Sequence, residues 1–540
     1  MSEARPSSAR WLALLVAAVA IGVYLNTLGH GFVVDDEAAI TSNPTVTAPF
    51  SLASLFGTDF WGQTRRGGGT IGAYRPFATL TFALDWRAGG GRPWTFHLHN
   101  AILHGLASAL FFLGLRTINR AALTPLAVAI LFALHPLHTD AVASIVGRAD
   151  VLGFVGCALT WWFHRREGRA ATALSALSFA LAMLSKESSL TLLPLLAIGD
   201  LGPERASLRA RLTRYALFGA TVAAVTALRY HVVGSLRGFR IDPLYNTLAG
   251  APLAAREVTA LGLFGRATEL LIAPHGLLFD YGPTAVMPST TPNLRTALGA
   301  LAITALVTVA LRAWRRAHTL TEAAAWVLIP GTLACNALVL LPMTFAERHW
   351  YLPSAGFLVL VAAGLSRLEA RFGARVVAVV TLVIATLYAP VTWTRNRAWA
   401  SSESLSRADA EAEPRSVLAQ MNVAITDLNR GHLDEAIARC TLITRLLPTW
   451  STPWGCIGVA HANRRQDAEA ERAFRTMRAT GEVACQYRLA FARFLYVRGR
   501  YDESRDELRA MRRDGFWPAG ATELARAVRD ARRAGSTPAH

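Results

Sequence analysis

Four short polar segments interrupt a chain that is otherwise mostly apolar, and they hold the side-chain types that move protons and bind anions. Asp35-Asp36-Glu37 places three carboxylates in a row; a second segment carries His135, His138, Asp140, Arg148 and Asp150; a third has Lys186 and Glu187; a fourth has Glu347, Arg348 and Tyr351. Arg75, in Tyr74-Arg75-Pro76, adds a cation between the first two. Adjacent carboxylates repel one another and lose solvation when buried, which raises the pKa of at least one and suits it to accept a proton from a hydroxyl. Arginine and lysine do the complementary work of holding an anionic group as it departs. Together these groups form a kit for transfer from an anionic carrier lipid.

Each segment also has a plainer reading. An acidic triplet is often a solvated loop or a helix cap. His135, His138 and Asp140 are metal-ligand types, but H-x2-H without a third histidine is a weak signal, and helix-end capping explains it about as well. Lys186 with Glu187, and Glu347 with Arg348, could be ion pairs that hold helices together, and Arg348 beside aromatic residues could be an interfacial anchor. Position decides between these readings. All four segments lie at the ends of long apolar blocks, and by alternation they fall on one side of a membrane.

The chain has 540 residues, 52% of them hydrophobic, and a mean hydropathy of +0.31. Its apolar residues come in long uninterrupted blocks, which marks a polytopic membrane protein. Residues 11–28 form the first block, with Arg5 and Arg10 before it and no small-residue cleavage site after it, and read as a retained span. Blocks follow at 97–116, 121–136, 150–164, 170–184, 188–202, 213–231, 294–311, 321–342, 353–366 and 376–393. One crossing each makes about 11 spans, with the N-terminus inside and the C-terminus outside. Residues 252–280 are apolar but broken by Arg256, Glu257, Arg266 and Glu269, and read as re-entrant or interfacial.

The net charge of +18 comes largely from arginines clustered between blocks, as in Arg165-Arg166 and Arg312 to Arg316, so it reports topology and not nucleic acid binding. Further arginines on the outward side (Arg65, Arg66, Arg75, Arg229, Arg237, Arg240 and Arg348) suit an anionic substrate there. Five cysteines form no paired CxxC signature; Cys440, Cys456 and Cys485 could supply one disulfide in an oxidising compartment.

After residue 398 the sequence becomes charged and helix-rich. Gly431-His432-Leu433-Asp434-Glu435-Ala436 recurs at Arg465 to Ala470 and at Gly499 to Ser504, each step being 34 residues, the tetratricopeptide period. The predicted fold is therefore all-α: a membrane domain over 1–398, with a long outer loop at 29–95, and a repeat α-solenoid over 399–540 with a capping helix near 519–533. Such repeats bind peptides or proteins and do no chemistry.

The motifs F-V-V-D-D-E-x2-I-x2-N-P, Y-R-P-x5-F-A-L, F-H-L-x-N, L-H-P-L-H-T-D-A-V-A-x3-G-R-A-D, S-K-E-S and A-E-R-x2-Y-L-P-S, followed by the repeats, resemble the transmembrane and tetratricopeptide-repeat (TMTC-like) O-mannosyltransferases, in a bacterial form, within the GT-C glycosyltransferase superfamily. The resemblance runs from Phe32 to about residue 515. It departs at Asp140, where such sequences often have Glu, and at His349-Trp350, where they usually have aromatic or aliphatic residues. It implies inverting transfer of a sugar, commonly mannose, from a polyprenyl-phosphate donor to Ser or Thr on exported protein. Asp35, Asp36 or Glu37 would serve as base, and Arg348, Lys186, Arg148 and Arg75 would hold the donor phosphate. Glu347, Glu187, His135, His138, Asp140, Asp150 and Tyr351 would line the site. No cofactor is firmly implied beyond the donor, and a divalent metal is left open. The implied partners are the lipid-linked sugar, membrane lipid and an acceptor protein or peptide met by the repeats. The implied setting is a bacterial inner membrane, with the N-terminus cytoplasmic and the site and repeats periplasmic.

Three alternatives stand beside this one: a lipid or polysaccharide acceptor, a non-enzymatic scaffold working through its repeats, and a transporter. A transporter needs polar groups near mid-span and paired half-repeats, whereas these segments sit at span ends.

Overall fold

The structure, a computed structural model, describes residues 6–64, 72–202, 207–235, 241–481 and 485–535. Arg5, Arg65, Arg66, Arg237 and Arg240 lie outside the described residues, as does the Cys485 side chain. Among the described residues every regular element is a helix. The chain forms two compact units that divide after Leu405.

The first unit begins with α1 (Pro6–Val23), which a 3-10 turn, Leu25–Gly29, prolongs. The outer loop contains α2 (Pro76–Gly89), started by a proline at its first turn and stopped at Gly90 in the left-handed region (φ 59°). Next come α3 (Pro93–Ile118), α4 (Thr124–Leu134), α5 (Arg148–His164), α6 (Arg169–Ser185), α7 (Leu192–Asp200) and α8 (Leu208–Val233). The unit closes with α9 (Leu253–Ile272), α10 (Leu294–Ala313), α11 (His318–Ala334), α12 (Tyr351–Phe372) and α13 (Ala374–Ala398).

The helix ends are tied from a distance. Glu369, near the end of α12, accepts the backbone N–H groups of Ala122, Leu123 and Thr124 at 2.9, 3.0 and 2.9 Å, and so satisfies the orphan donors at the start of α4. At its other end α4 stops where Pro136 cannot continue the helix, and the chain bends by 47° into the segment Pro136–Val142. That bend delivers His135, His138 and Asp140 to the same end of the bundle as the outer loop.

Six described helices are long and apolar enough to cross a membrane, or seven if the bent pair counts as one span, so the chain is a multi-pass membrane protein. Several of the 11 apolar blocks fold as shorter helices: α5, α6 and α11 have 17 residues each and α7 has 9. At about 1.5 Å per residue, 17 residues reach roughly 25 Å, the short end of what crosses a ~30 Å hydrocarbon layer. Within the segment 252–280, residues 253–272 form one unbroken helix. Four charged residues on α9 keep it out of the apolar set.

Helices α9 and α10 run antiparallel in backbone contact. A Cβ on Gly265 would lie 1.9 Å from the Arg295 carbonyl oxygen, and one on Gly299 would lie 2.0 Å from that of Leu261. Glycine is required at both places, because backbone cannot yield as a flexible side chain does.

The second unit is a run of helix pairs: α14 (Val417–Asn429) with α15 (Leu433–Leu446), α16 (Thr452–Asn463) with α17 (Asp467–Thr480), and α18 (Cys485–Val497) with α19 (Tyr501–Arg513), followed by α20 (Ala521–Gly535). The small repeat residues Ala436, Ala470 and Ser504 are fully buried, which lets paired helices approach closely. Cys440 and Cys456 are free thiols in the shared core of the first two pairs.

Gly265→Val should separate α9 from α10 and lower the unfolding free energy by about 1–3 kcal/mol. Thermal unfolding of the detergent-solubilised protein is the check, and an unchanged midpoint would contradict the close crossing.

Candidate active site

The outer loop leaves α1 through a tight turn in which two neighbouring aspartates part company. Asp36 turns inward and is 1% exposed. Its Oδ2 accepts the Val33 N–H at 2.9 Å, and its Oδ1 accepts the Val146 N–H at 3.0 Å, which ties the turn to the segment before α5. Val34 sits at φ 49°, a left-handed conformation that β-branched residues avoid, and its N–H donates to Ser402 Oγ at 3.0 Å. Asp35, half-buried, is thereby turned the other way. Glu37 is exposed.

Burial raises the pKa of Asp36 to about 7, against the pull of the two N–H donors. Burial also raises that of Asp35; Arg348 opposes it, Asp140 adds to it and Arg75 opposes it. Asp35 makes no hydrogen bond or ion pair among the described residues.

Arg348 and Arg75 bear on Asp35, and Lys186 bears on those two arginines, each of the three cations being matched to one carboxylate. Arg348 Nη1 lies 3.2 Å from Asp140 Oδ1, and the Arg348 backbone N–H donates to Asp140 Oδ2 at 3.0 Å. Lys186 Nζ lies 2.8 Å from Asp150 Oδ2, both side chains being 7% exposed. Arg75 Nε lies 3.0 Å from Glu187 Oε2, while Glu187 Oε1 accepts the Tyr74 N–H at 3.1 Å. Burial brings the Lys186 ammonium down to about 8, with Asp150 opposing and Arg75 and Arg348 assisting. The four polar segments of the sequence thus converge on one end of the bundle, with Asp35 the carboxylate left over.

No family model matches the chain. Curated relatives do. It is 35% identical over 288 residues to Protein O-mannosyl-transferase Tmtc2 of Drosophila melanogaster, covering 51% of this chain and 30% of that protein. It is 30% identical over 397 residues to Protein O-mannosyl-transferase F38B6.6 of Caenorhabditis elegans, covering 73% and 56%. With Protein O-mannosyl-transferase TMTC4 of Homo sapiens it shares 28% identity over 484 residues, covering 79% and 65%. The chain belongs to the TMTC-like family. It spans less than two thirds of the length of each of these three relatives.

In this TMTC-like chain several residues singled out by sequence are committed to structure. Arg148 is fully buried: its Nε donates to Asn100 Oδ1 at 2.6 Å, its Nη1 to Thr81 Oγ1 at 3.1 Å and to Asp85 at 2.6 Å, and its Nη2 to the Phe96 carbonyl at 2.9 Å. It therefore fastens α2, α3 and α5 together and is closed to substrate. Glu347 is fully buried and accepts the Leu278 N–H and the Tyr281 hydroxyl, both at 2.7 Å.

His135, His138 and Tyr351 are buried in the bundle. His135 Nε2 donates to the Leu271 carbonyl at 3.2 Å, and its Nδ1 accepts the Leu137 N–H at 3.2 Å. His138 Nε2 is 2.9 Å from Ser354 Oγ, and the Tyr351 hydroxyl is 2.7 Å from His104 Nδ1. With Asp140 on Arg348, these donors face separate partners. Among the described residues no three His, Cys, Asp or Glu side chains are grouped to hold a metal ion.

Asp85, Asn100 and Thr81 were missed by the sequence reading. The signal for Asn100 lay in the F-H-L-x-N motif; Asp85, on a helix of the outer loop, had none.

The two aspartates should respond differently to the same change. In Asp36→Asn the amide must turn its own N–H toward one of the two backbone N–H groups, which should cost about 1–3 kcal/mol of stability. Asp35→Asn removes a charge that has no partner and should leave stability within about 0.5 kcal/mol. Unfolding midpoints of the two variants, measured side by side, decide the matter, and equal losses would refute the division.

Proposed function

We propose that this chain is a membrane-embedded glycosyltransferase that moves a sugar, mannose by the names of its relatives, from a polyprenyl-phosphate donor to Ser or Thr hydroxyls of protein. The observation that carries this reading is an unpartnered, half-buried carboxylate, that of Asp35, on which Arg348 and Arg75 act at the end of a membrane bundle where three cation–carboxylate pairs gather. The names of the relatives support a protein acceptor.

In this reading Asp35 takes the proton of the acceptor hydroxyl as its oxygen attacks the anomeric carbon. The bond from that carbon to the phosphate oxygen breaks, and its electron pair leaves with the polyprenyl phosphate. Attack from the face opposite the phosphate inverts the anomeric centre. Arg348, Arg75 and Lys186 stabilise the departing anion, which needs cations more than a proton donor. The site faces outward, in the periplasm if the host membrane is the bacterial inner membrane, and the helical repeats hold acceptor polypeptide.

Asp35→Asn should abolish transfer from polyprenyl-phosphate mannose to a Ser/Thr peptide, read as a peptide mass shift, while the protein remains folded in the membrane. Activity within twofold of the unchanged protein would remove Asp35 as base.

The pH profile gives a second check. Asp35 must be ionised to act, and its pKa stands above the ordinary 3.8, so activity should fall on the acid side above that value. Arg75→Gln removes a charge that lowers this pKa and should move the acid limb to higher pH. Lys186 must be protonated, so activity should also fall as pH rises past about 8. Lys186→Arg should move that limb upward.

A further inference from the structure

The 3-10 turn Glu347–Trp350 leads into α12, and three of its four side chains are spoken for. Glu347 holds Leu278 and Tyr281, and Arg348 holds Asp140. Trp350 is fully buried, edge-on to Phe264 and against Gly331. His349 is the exception: its ring makes neither a hydrogen bond nor a ring contact among the described residues, and its Nδ1 is buried without a partner, as are Glu347 Oε2 and Trp350 Nε1. A buried polar atom left unmatched costs about 1–3 kcal/mol, so its place calls for a reason.

The surroundings supply one. His349 directly follows Arg348 in the turn, and after burial, the first influence on its ring, the charges that bear on it are those of Lys186, Arg348 and Arg75. Each already has a carboxylate, and together they suit the phosphate of a donor. An imidazole among three positive charges does different work, because like charges disfavour a fourth and leave it as one N–H donor and one N acceptor. The non-bridging oxygens of a phosphate diester only accept hydrogen bonds. A sugar hydroxyl both donates and accepts, and in the donor the sugar is the group joined directly to the phosphate.

We propose that His349 reads a hydroxyl of the donor sugar and so sets which sugar this site prefers. This rests on the donor reading above. It adds a specificity-determining residue outside the carboxylates and cations that do the chemistry.

The test uses the purified full-length chain, unchanged and as His349→Phe and His349→Gln, with three ligands: polyprenyl-phosphate mannose, polyprenyl-phosphate glucose and bare polyprenyl phosphate. Binding is measured for all three and transfer for the two sugar donors. His349→Phe should weaken binding of the preferred sugar donor, and raise its KM, about five- to tenfold, and should narrow the preference between the two sugars by the same factor. Its affinity for bare polyprenyl phosphate should stay within twofold, and His349→Gln, which keeps a donor and an acceptor, should recover part of the loss. Thermal midpoints within about 2 °C of the unchanged protein confirm that the variants fold.

Equal weakening toward bare polyprenyl phosphate would make His349 a phosphate ligand and overturn the proposal, as would an unchanged sugar preference in His349→Phe. Failure of the donor reading looks different: the unchanged protein would then bind none of the three lipids, ending both ideas together.

Discussion

One buried carboxylate, that of Asp36, sets the geometry on which the site depends. By accepting the N–H groups of Val33 and Val146 it joins the end of the first span to the segment that precedes α5. Side chains at successive positions of a tight turn cannot both enter the same cradle, so Asp35 is left out of the one that holds Asp36. The left-handed Val34 between α1 and the pair is part of the same arrangement. Strain of this kind persists only where the surroundings over-determine the backbone, and here the side chains of Asp36 and Ser402 do so.

The second organising feature is the pairing of charges. Buried ions are expensive to desolvate, and replacing such pairs with well-packed apolar residues is often neutral or stabilising. Their presence at the end of a membrane bundle is therefore poorly explained by stability. Arg148 is the contrasting case: held by Asn100, Thr81, Asp85 and the Phe96 carbonyl, it has become a rivet between helices. The two kinds of arginine are told apart by what surrounds them. Arg148 is wholly enclosed by partners, whereas Arg348 and Arg75 keep 11% and 15% of their side chains exposed beside Asp35.

Much of this was visible in the sequence where the signal is local. The acidic triplet stands out because it follows an apolar span directly, and the 34-residue period stands out because each helix pair repeats its small residue at the same point. The number of membrane crossings was less accessible. Hydropathy marks apolar blocks but not how far a helix runs, so the nine-residue α7 and the full-length α3 look alike in a window. Nor do adjacent aspartates declare their roles, since the difference between Asp35 and Asp36 comes from an N–H group 110 residues away. For the same reason Asp85 was invisible as the counter-ion of Arg148, as was the tie between Glu347 and Tyr281.

The one-to-one matching of Arg75, Lys186 and Arg348 with Glu187, Asp150 and Asp140 has a consequence for ligand entry. With every positive group already answered and Asp35 in excess, the cluster has no surplus positive charge to draw in an anion. A negatively charged ligand must therefore pull a cation off its counter-ion, so each paired carboxylate competes with the ligand and limits how tightly an anion can be held.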